Sequence, residues 1–291
     1  MRFFLVSIFF ISTLAALNVN ISDSTILNGK TALIELEKDE NIQYNEISIG
    51  KKKYKIFNNP VNDKKMYVLI PIGYYEKPRN VQAKLTYKEK NSDVSKTLFF
   101  HIKDAKYQKE TIKVSNSKVN LNKKDLKRSA KENKEATDIY NSVTDKSYIS
   151  SSFILPMESE ITSSFGKARV YNETLKGYHS GTDFRADVGT PIKSCNDGVV
   201  VLAKDRFYSG GSVIIDHGQG IYTCYFHMSE FSVKKNQKIK KAQIIGLSGK
   251  SGRVTGPHLH FSAKVSGVQV DPMQLILLMN EKLLIKQNYK E

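Results

Sequence analysis

The chain has 291 residues, of which 40% are hydrophobic and 25% charged. That length fits about two domains, and the composition excludes a disordered chain, a collagen-like chain and a multi-span membrane protein. Lys and Arg outnumber Asp and Glu by 45 to 29, a net charge of +16, which favours a polyanionic partner such as nucleic acid, anionic lipid or an anionic cell-wall polymer.

Met1-Arg2 is a short basic start, and Phe3 to Leu17 follows without a charge. Thr13-Leu14-Ala15 and Ala15-Ala16 offer small-residue cleavage sites, so residues 1–17 read as a secretory signal peptide. The apolar run falls short of the ~20 residues that a spanning helix needs. An uncleaved N-terminal anchor is the competing reading, and no Cys follows the run to carry a lipid. Export places the chain in the periplasm, at the cell envelope or outside the cell, with no stable membrane span after cleavage. It also argues against nucleic acid as the partner. The two cysteines, Cys195 and Cys224, allow either one disulfide or two buried thiols.

Residues 18–117 read as a β-sandwich domain of immunoglobulin-like character. Val81, Ala83, Leu85 and Tyr87 alternate with polar residues, and Leu98, Phe100 and Ile102 form a second stripe. Further strands are expected at 31–37, 46–49, 53–57, 66–72 and 111–114, separated by Asn28-Gly29, Gly50 and Asn58-Asn59-Pro60. His101 is out of phase with its stripe and reads as a surface residue.

Residues 118–150 form a basic linker. Lys123 to Asn141 lacks Gly and Pro and predicts a solvated helix, capped by Asn122. Residues 151–277 are glycine-punctuated and β-rich, and Asp197-Gly198 reads as a hairpin turn. Asp271-Pro272 is a helix start, followed at helical spacing by Leu275, Ile276, Met279 and Leu283. Residues 278–291 complete that helix and the tail. The whole chain is therefore mainly β.

Five of the six histidines lie in this last part: 179, 217, 227, 258 and 260. His179 and Asp183 form H-x-x-x-D, and His258-Leu259-His260 forms H-x-H. In a strand, residues i and i+2 share a face, so His258 and His260 point into one site while Leu259 enters the core. Gly181 and its Ser/Thr neighbours argue against helix at 179–183, leaving a loop that feeds a strand. Two imidazoles and one carboxylate make a three-ligand metal site with a position open to water. His217 sits among turn glycines and reads as structural. Tyr178 reads as packing beside the first ligand, and Lys250 and Arg253 as a solvated basic loop.

The flanking words are Phe165-Gly166, His179-Ser180-Gly181-Thr182-Asp183, Gly189-Thr190-Pro191-Ile192, Asp197-Gly198-Val199-Val200, His217-Gly218-Gln219-Gly220, Tyr225-Phe226-His227 and Gly256-Pro257-His258-Leu259-His260-Phe261. In that order they resemble the lysostaphin/LytM-type (M23-type) zinc endopeptidases of bacterial cell walls, over roughly residues 153–275. The absence of H-E-x-x-H sets aside the thermolysin-like and metzincin classes. The resemblance implies one Zn²⁺ held by His179, Asp183 and His260. It implies that His227 and His258 serve as acid/base and transition-state stabilising groups, without saying which is the base. It further implies peptidoglycan as substrate, cleaved at peptide cross-links by a D,D-endopeptidase with D,D-carboxypeptidase activity as a variant, in the service of wall remodelling and cell shape. The sandwich is then a docking site for other wall proteins or a cover that keeps the enzyme latent. The competing class on the same fold is a catalytically inactive scaffold or amidase activator.

Overall fold

The computed structural model describes residues 17–112, 122–171 and 174–285. The signal-peptide reading, apart from Leu17, lies outside these residues, as do Lys113 and Val114 of the expected 111–114 strand and the tail beyond 285.

The first part is a sandwich of two sheets. One runs in the order Val19–Ile21, Thr31–Glu37, Lys65–Pro71, Phe57–Asn58, the other Thr25–Leu27, Ser92–Lys103, Arg79–Glu89, Ile42–Ile49, Lys52–Lys55. The alternating stripe explains the second sheet: Val81, Ala83, Leu85 and Tyr87 are buried against Ile34, Leu36, Val68 and Ile70 of the first. Its outer face is mainly polar apart from the exposed Phe99, and His101 is exposed there, beside Asn80. The first sheet differs because its central strands are apolar on both faces, the pattern of a strand covered on two sides. Leu33, Phe57, Tyr67 and Leu69 point away from the sandwich core and join the core of the C-terminal half, with Tyr225, Phe261 and Leu283.

The two halves are also stitched by polar contacts. Tyr67 Oη donates to Gln219 Oε1 at 2.6 Å, buried. Asn59 Nδ2 donates to the Leu283 carbonyl at 3.0 Å. Gln274 makes paired bonds with the backbone of Thr31.

The C-terminal half is built on an antiparallel sheet in the order Ile161–Ser163, Thr182–Arg185, His258–Val265, Ile221–Met228, Gly210–Asp216, Gly198–Arg206, Lys238–Ile239. A second small sheet joins Pro191–Lys193, Ile244–Leu247 and Glu230–Phe231. Asp197-Gly198 is therefore no hairpin turn: the strands it separates belong to different sheets. The Asp197 carboxylate instead accepts from Lys241 N and Lys240 Nζ, at 2.8 Å each, which turns the chain from one sheet to the other.

The helix Lys123–Tyr140 starts at Asn122, whose side chain accepts from Asp125 N. Its lysines face solvent. Its other face is docked: Ala136 and Tyr140 pack on Leu202, Ile214 and Tyr222 of the large sheet. Arg128 reaches Asp205 at 2.8 Å, and the Glu132 carbonyl accepts from Arg206. At the C-terminus, Asp271 caps Pro272–Leu278 by accepting from Met273 N and Gln274 N, and the helical run continues as a π-turn to Leu283. Cys195 and Cys224 are both buried and unpaired with each other. Among the described residues no helix is long and apolar enough to cross a membrane.

Candidate metal centre

Strand pairing assembles the site. Thr182–Arg185 runs antiparallel to His258–Val265 with Asp183 opposite His260 and Arg185 opposite His258. Phe184, Leu259 and Phe261 take the other face and are fully buried. This alternation brings the carboxylate and both histidines of H-x-H onto one surface. His179 lies just before the strand, clamped by backbone bonds from its N–H to Lys167 O and from Gly166 N to its carbonyl, both 2.8 Å.

Three donor atoms converge. His179 Nε2 lies 2.9 Å from Asp183 Oδ1 and 3.0 Å from His260 Nδ1, and His260 Nδ1 lies 2.8 Å from the same Oδ1. His179 Nδ1 faces the Ser164 carbonyl at 2.8 Å. A carbonyl only accepts, so Nδ1 carries the hydrogen and Nε2 presents a lone pair to the carboxylate oxygen. A cation answers all three convergent donors at once, so the residues fit a metal ion bound by two imidazoles and one carboxylate. Burial pushes the His260 pKa down, the direction that suits a metal-binding imidazole, which has to be neutral.

His227 and His258 face this cluster. His258 Nε2 is 3.7 Å from Asp183 Oδ1, and its Nδ1–H donates to the Gly256 carbonyl at 2.9 Å. His227 reaches the site by a backbone device. Phe226 pairs with His260 and stacks on its ring, with centroids 5.7 Å apart. Strict alternation would send His227 to the opposite face. Its φ of 63° is left-handed instead, at a cost of about 1–2 kcal/mol for a residue with a side chain. The ring thereby lands 4.9 Å from that of His258 and 5.9 Å from that of His260. Its Nδ1–H donates to the Ser251 carbonyl at 2.9 Å. Burial, then the neighbouring His260 and His258, push its pKa down to about 3.

The structure thus gathers all five residues singled out from the sequence. His217 stands apart, buried and satisfied by the Asp197 carbonyl and the Thr223 hydroxyl. Tyr178 packs flat on Tyr74 at 3.8 Å. Arg253 lies over the Tyr208 ring.

Sequence reasoning missed Ser163, Arg169 and Glu110. With Thr111, Asp183 and His258 they line a groove of about 420 Å³ at the cluster. Glu110 comes from the strand Lys109–Ile112, which pairs in parallel with Ala168–Tyr171. No spacing rule connects residues this far apart in the chain. The word Phe165-Gly166 stops short of Arg169 and gave no hint of it.

A mainly-β domain with two histidines and an aspartate gathered on one sheet face, and two further histidines across from them, is the architecture of a metallopeptidase. Residues 177–272 match peptidase family M23, and the chain carries a domain of that family. It is 44% identical over 122 residues to the peptidoglycan DD-endopeptidase ShyA of Vibrio cholerae, covering 41% of this chain and 28% of that protein. It is 37% identical over 99 residues to the DD-carboxypeptidase/endopeptidase Mpg of Neisseria meningitidis, covering 34% of this chain and 23% of that one. The chain thus spans less than a third of the length of these relatives. A crystal structure from Pseudomonas aeruginosa described as a peptidase M23 superposes with a TM-score of 0.66 at 25% identity, over 86% of this chain and 94% of that one. That likeness extends across both the sandwich and the catalytic sheet.

Proposed function

We propose that the protein is a zinc metalloendopeptidase that hydrolyses peptide cross-links of bacterial peptidoglycan, with a D-Ala–diaminopimelate bond as the target and D,D-carboxypeptidase action as a variant. The observation that carries this reading is the convergence of His179, Asp183 and His260 opposite His227 and His258. The M23 match and the names of its relatives support the substrate class.

His179 Nε2, Asp183 Oδ1 and His260 Nδ1 would hold the zinc. When bound, zinc polarises a carbonyl and lowers the pKa of a coordinated water to about 7. The protein's own part is proton handling. His227 and His258 each commit Nδ1–H to a backbone carbonyl, which leaves Nε2 as the atom that accepts a proton. A proton taken there becomes an Nε2–H donor for the leaving amine. The partner ring stabilises the charge that develops on the scissile carbonyl once its own Nε2 carries a proton and can donate. The left-handed turn at His227 fixes its ring in place before substrate arrives.

Peptidoglycan as substrate places the protein at the cell envelope, delivered by the N-terminal signal segment, in wall remodelling and cell shape. The exposed lysines of the helix Lys123–Tyr140 suit attraction to an anionic wall. Digestion of purified peptidoglycan with and without chelator, with products identified by mass spectrometry, tests the proposal. Muropeptide cleavage abolished by chelator and restored by zinc is the expected result. Stoichiometric binding to the wall with no cleavage product would establish the scaffold class instead.

A further inference from the structure

The groove beside the ligand cluster contains a carboxylate that the M23 match does not include. Glu110 Oε1 accepts from Arg169 Nε at 2.7 Å, and Arg169 Nη2 reaches Asp183 Oδ2 at 3.4 Å. Asp183 Oδ2 is the oxygen left over once Oδ1 faces the two histidines. On its other side Glu110 Oε2 accepts from Ser163 Oγ at 3.4 Å, and that hydroxyl lies 3.2 Å from His179 Nδ1. Lys167 Nζ is 3.6 Å from the same Oε2. One side chain therefore stands behind two of the three donors by two separate routes. The groups are largely withdrawn from water, with side-chain exposures of 24% for Glu110, 17% for Arg169 and 10% for Asp183, so their interaction is weakly screened.

We propose that Glu110 is a positioning residue for the metal centre, acting through Arg169 on Asp183 and through Ser163 on His179. This rests on the zinc reading above. The charge order explains the need for it. Arg169 alone, close to Asp183, opposes a cation and competes for the ligand carboxylate. Glu110 holds the guanidinium at its Nε edge and offsets its charge, so that Arg169 orients Oδ2 without weakening Oδ1. Partners of this kind are worth 10–100-fold in metal affinity.

The strand that carries Glu110 precedes the helix Lys123–Tyr140 and pairs with Ala168–Tyr171 of the catalytic half. The N-terminal half therefore completes the metal site. Glu110 is the groove-lining carboxylate that this half contributes, and it is committed to Arg169 rather than standing among the ligand donors.

The test is zinc affinity of the full chain, measured by competition with a chromophoric chelator. Glu110→Gln should raise the zinc dissociation constant 10–100-fold and lower kcat with KM unchanged. In an Arg169→Gln background the same change should cost only the severalfold that the Ser163 route carries, because the charge it offsets is gone. Ser163→Ala, which alters no charge and leaves a smaller side chain, should weaken zinc severalfold and gives an independent reading if Glu110→Gln does not fold. Wild-type affinity in both Glu110→Gln and Ser163→Ala, or a rise in KM alone, would overturn the proposal and reduce Glu110 to a wall of the groove. Failure of the wild-type chain to bind zinc would instead remove the metal reading itself.

Discussion

Gly181 sits between His179 and Asp183, the two proposed ligands of the H-x-x-x-D word, and the structure shows why a side chain is excluded there. A Cβ at this position would stand 2.4 Å from the Phe261 carbonyl oxygen, 2.6 Å from His260 Nε2 and 2.9 Å from His260 Cε1. Ordinary contact needs about 3.5 Å, so Gly181→Ala must push the His258–Val265 strand and its ligand ring away by roughly 1 Å. Overpacking of this kind costs about 1–3 kcal/mol, or several degrees of Tm in a protein of this size. The metal is the more sensitive reporter, because ligand distances tolerate only about 0.2 Å. Gly181→Ala should therefore lose zinc at least 100-fold while still folding, measured by chelator competition beside a thermal melt. Gly177→Ala, where a Cβ meets nothing within 4 Å, is the matched control and should behave as wild type. Wild-type zinc affinity and Tm in Gly181→Ala would show that the ligand strand is not held as described.

Three further outcomes follow from the geometry. His227→Ala and His258→Ala should each keep stoichiometric zinc and lose at least 100-fold in kcat, whereas His260→Ala should lose both; full activity in His260→Ala would remove the ligand assignment. Burial pushes the pKa of His217 down to about 4, below its ordinary value near 6.5. The native state thus keeps this ring neutral where the unfolded state takes up a proton, so stability falls as pH drops from about 6.5 to about 4 and this group adds no further loss below. The stake is on the order of 3 kcal/mol, so the gap between wild type and His217→Gln in urea unfolding should narrow at pH 4; a gap that does not change with pH would contradict a buried neutral ring. Tyr67→Phe strands Gln219 Oε1 in the buried seam between the halves and should cost about 1–3 kcal/mol in the same assay.

The alternation of Val81 to Tyr87 and the caps at Asn122 and Asp271 are local, and the sequence shows them directly. So is the H-x-H pair, since two residues apart on a strand means one face. Asp183 opposite His260 needs only that the two words pair as neighbouring strands. His227 was legible by its company but not by its geometry, because its left-handed φ reverses the face that alternation assigns. Glu110 and Arg169 meet through a parallel strand pairing that no periodicity announces. The doubly apolar runs at 31–34 and 67–70 held the clue to the seam between the halves. Reading them as ordinary sandwich strands hid their second face.

The seam sets the smallest unit that can be inherited or transplanted whole. A graft of residues 177–272 would carry all five site residues into a new scaffold. It would leave behind Ser163, Arg169 and Glu110, and the Leu33, Tyr67 and Leu69 surface that roofs the catalytic core. Recombination at the edges of the family match thus cuts through a hydrophobic interior, and a viable exchange has to take the sandwich along. Sandwich and catalytic sheet should therefore accumulate compensating substitutions across this seam as one lineage, rather than diverge as interchangeable cassettes.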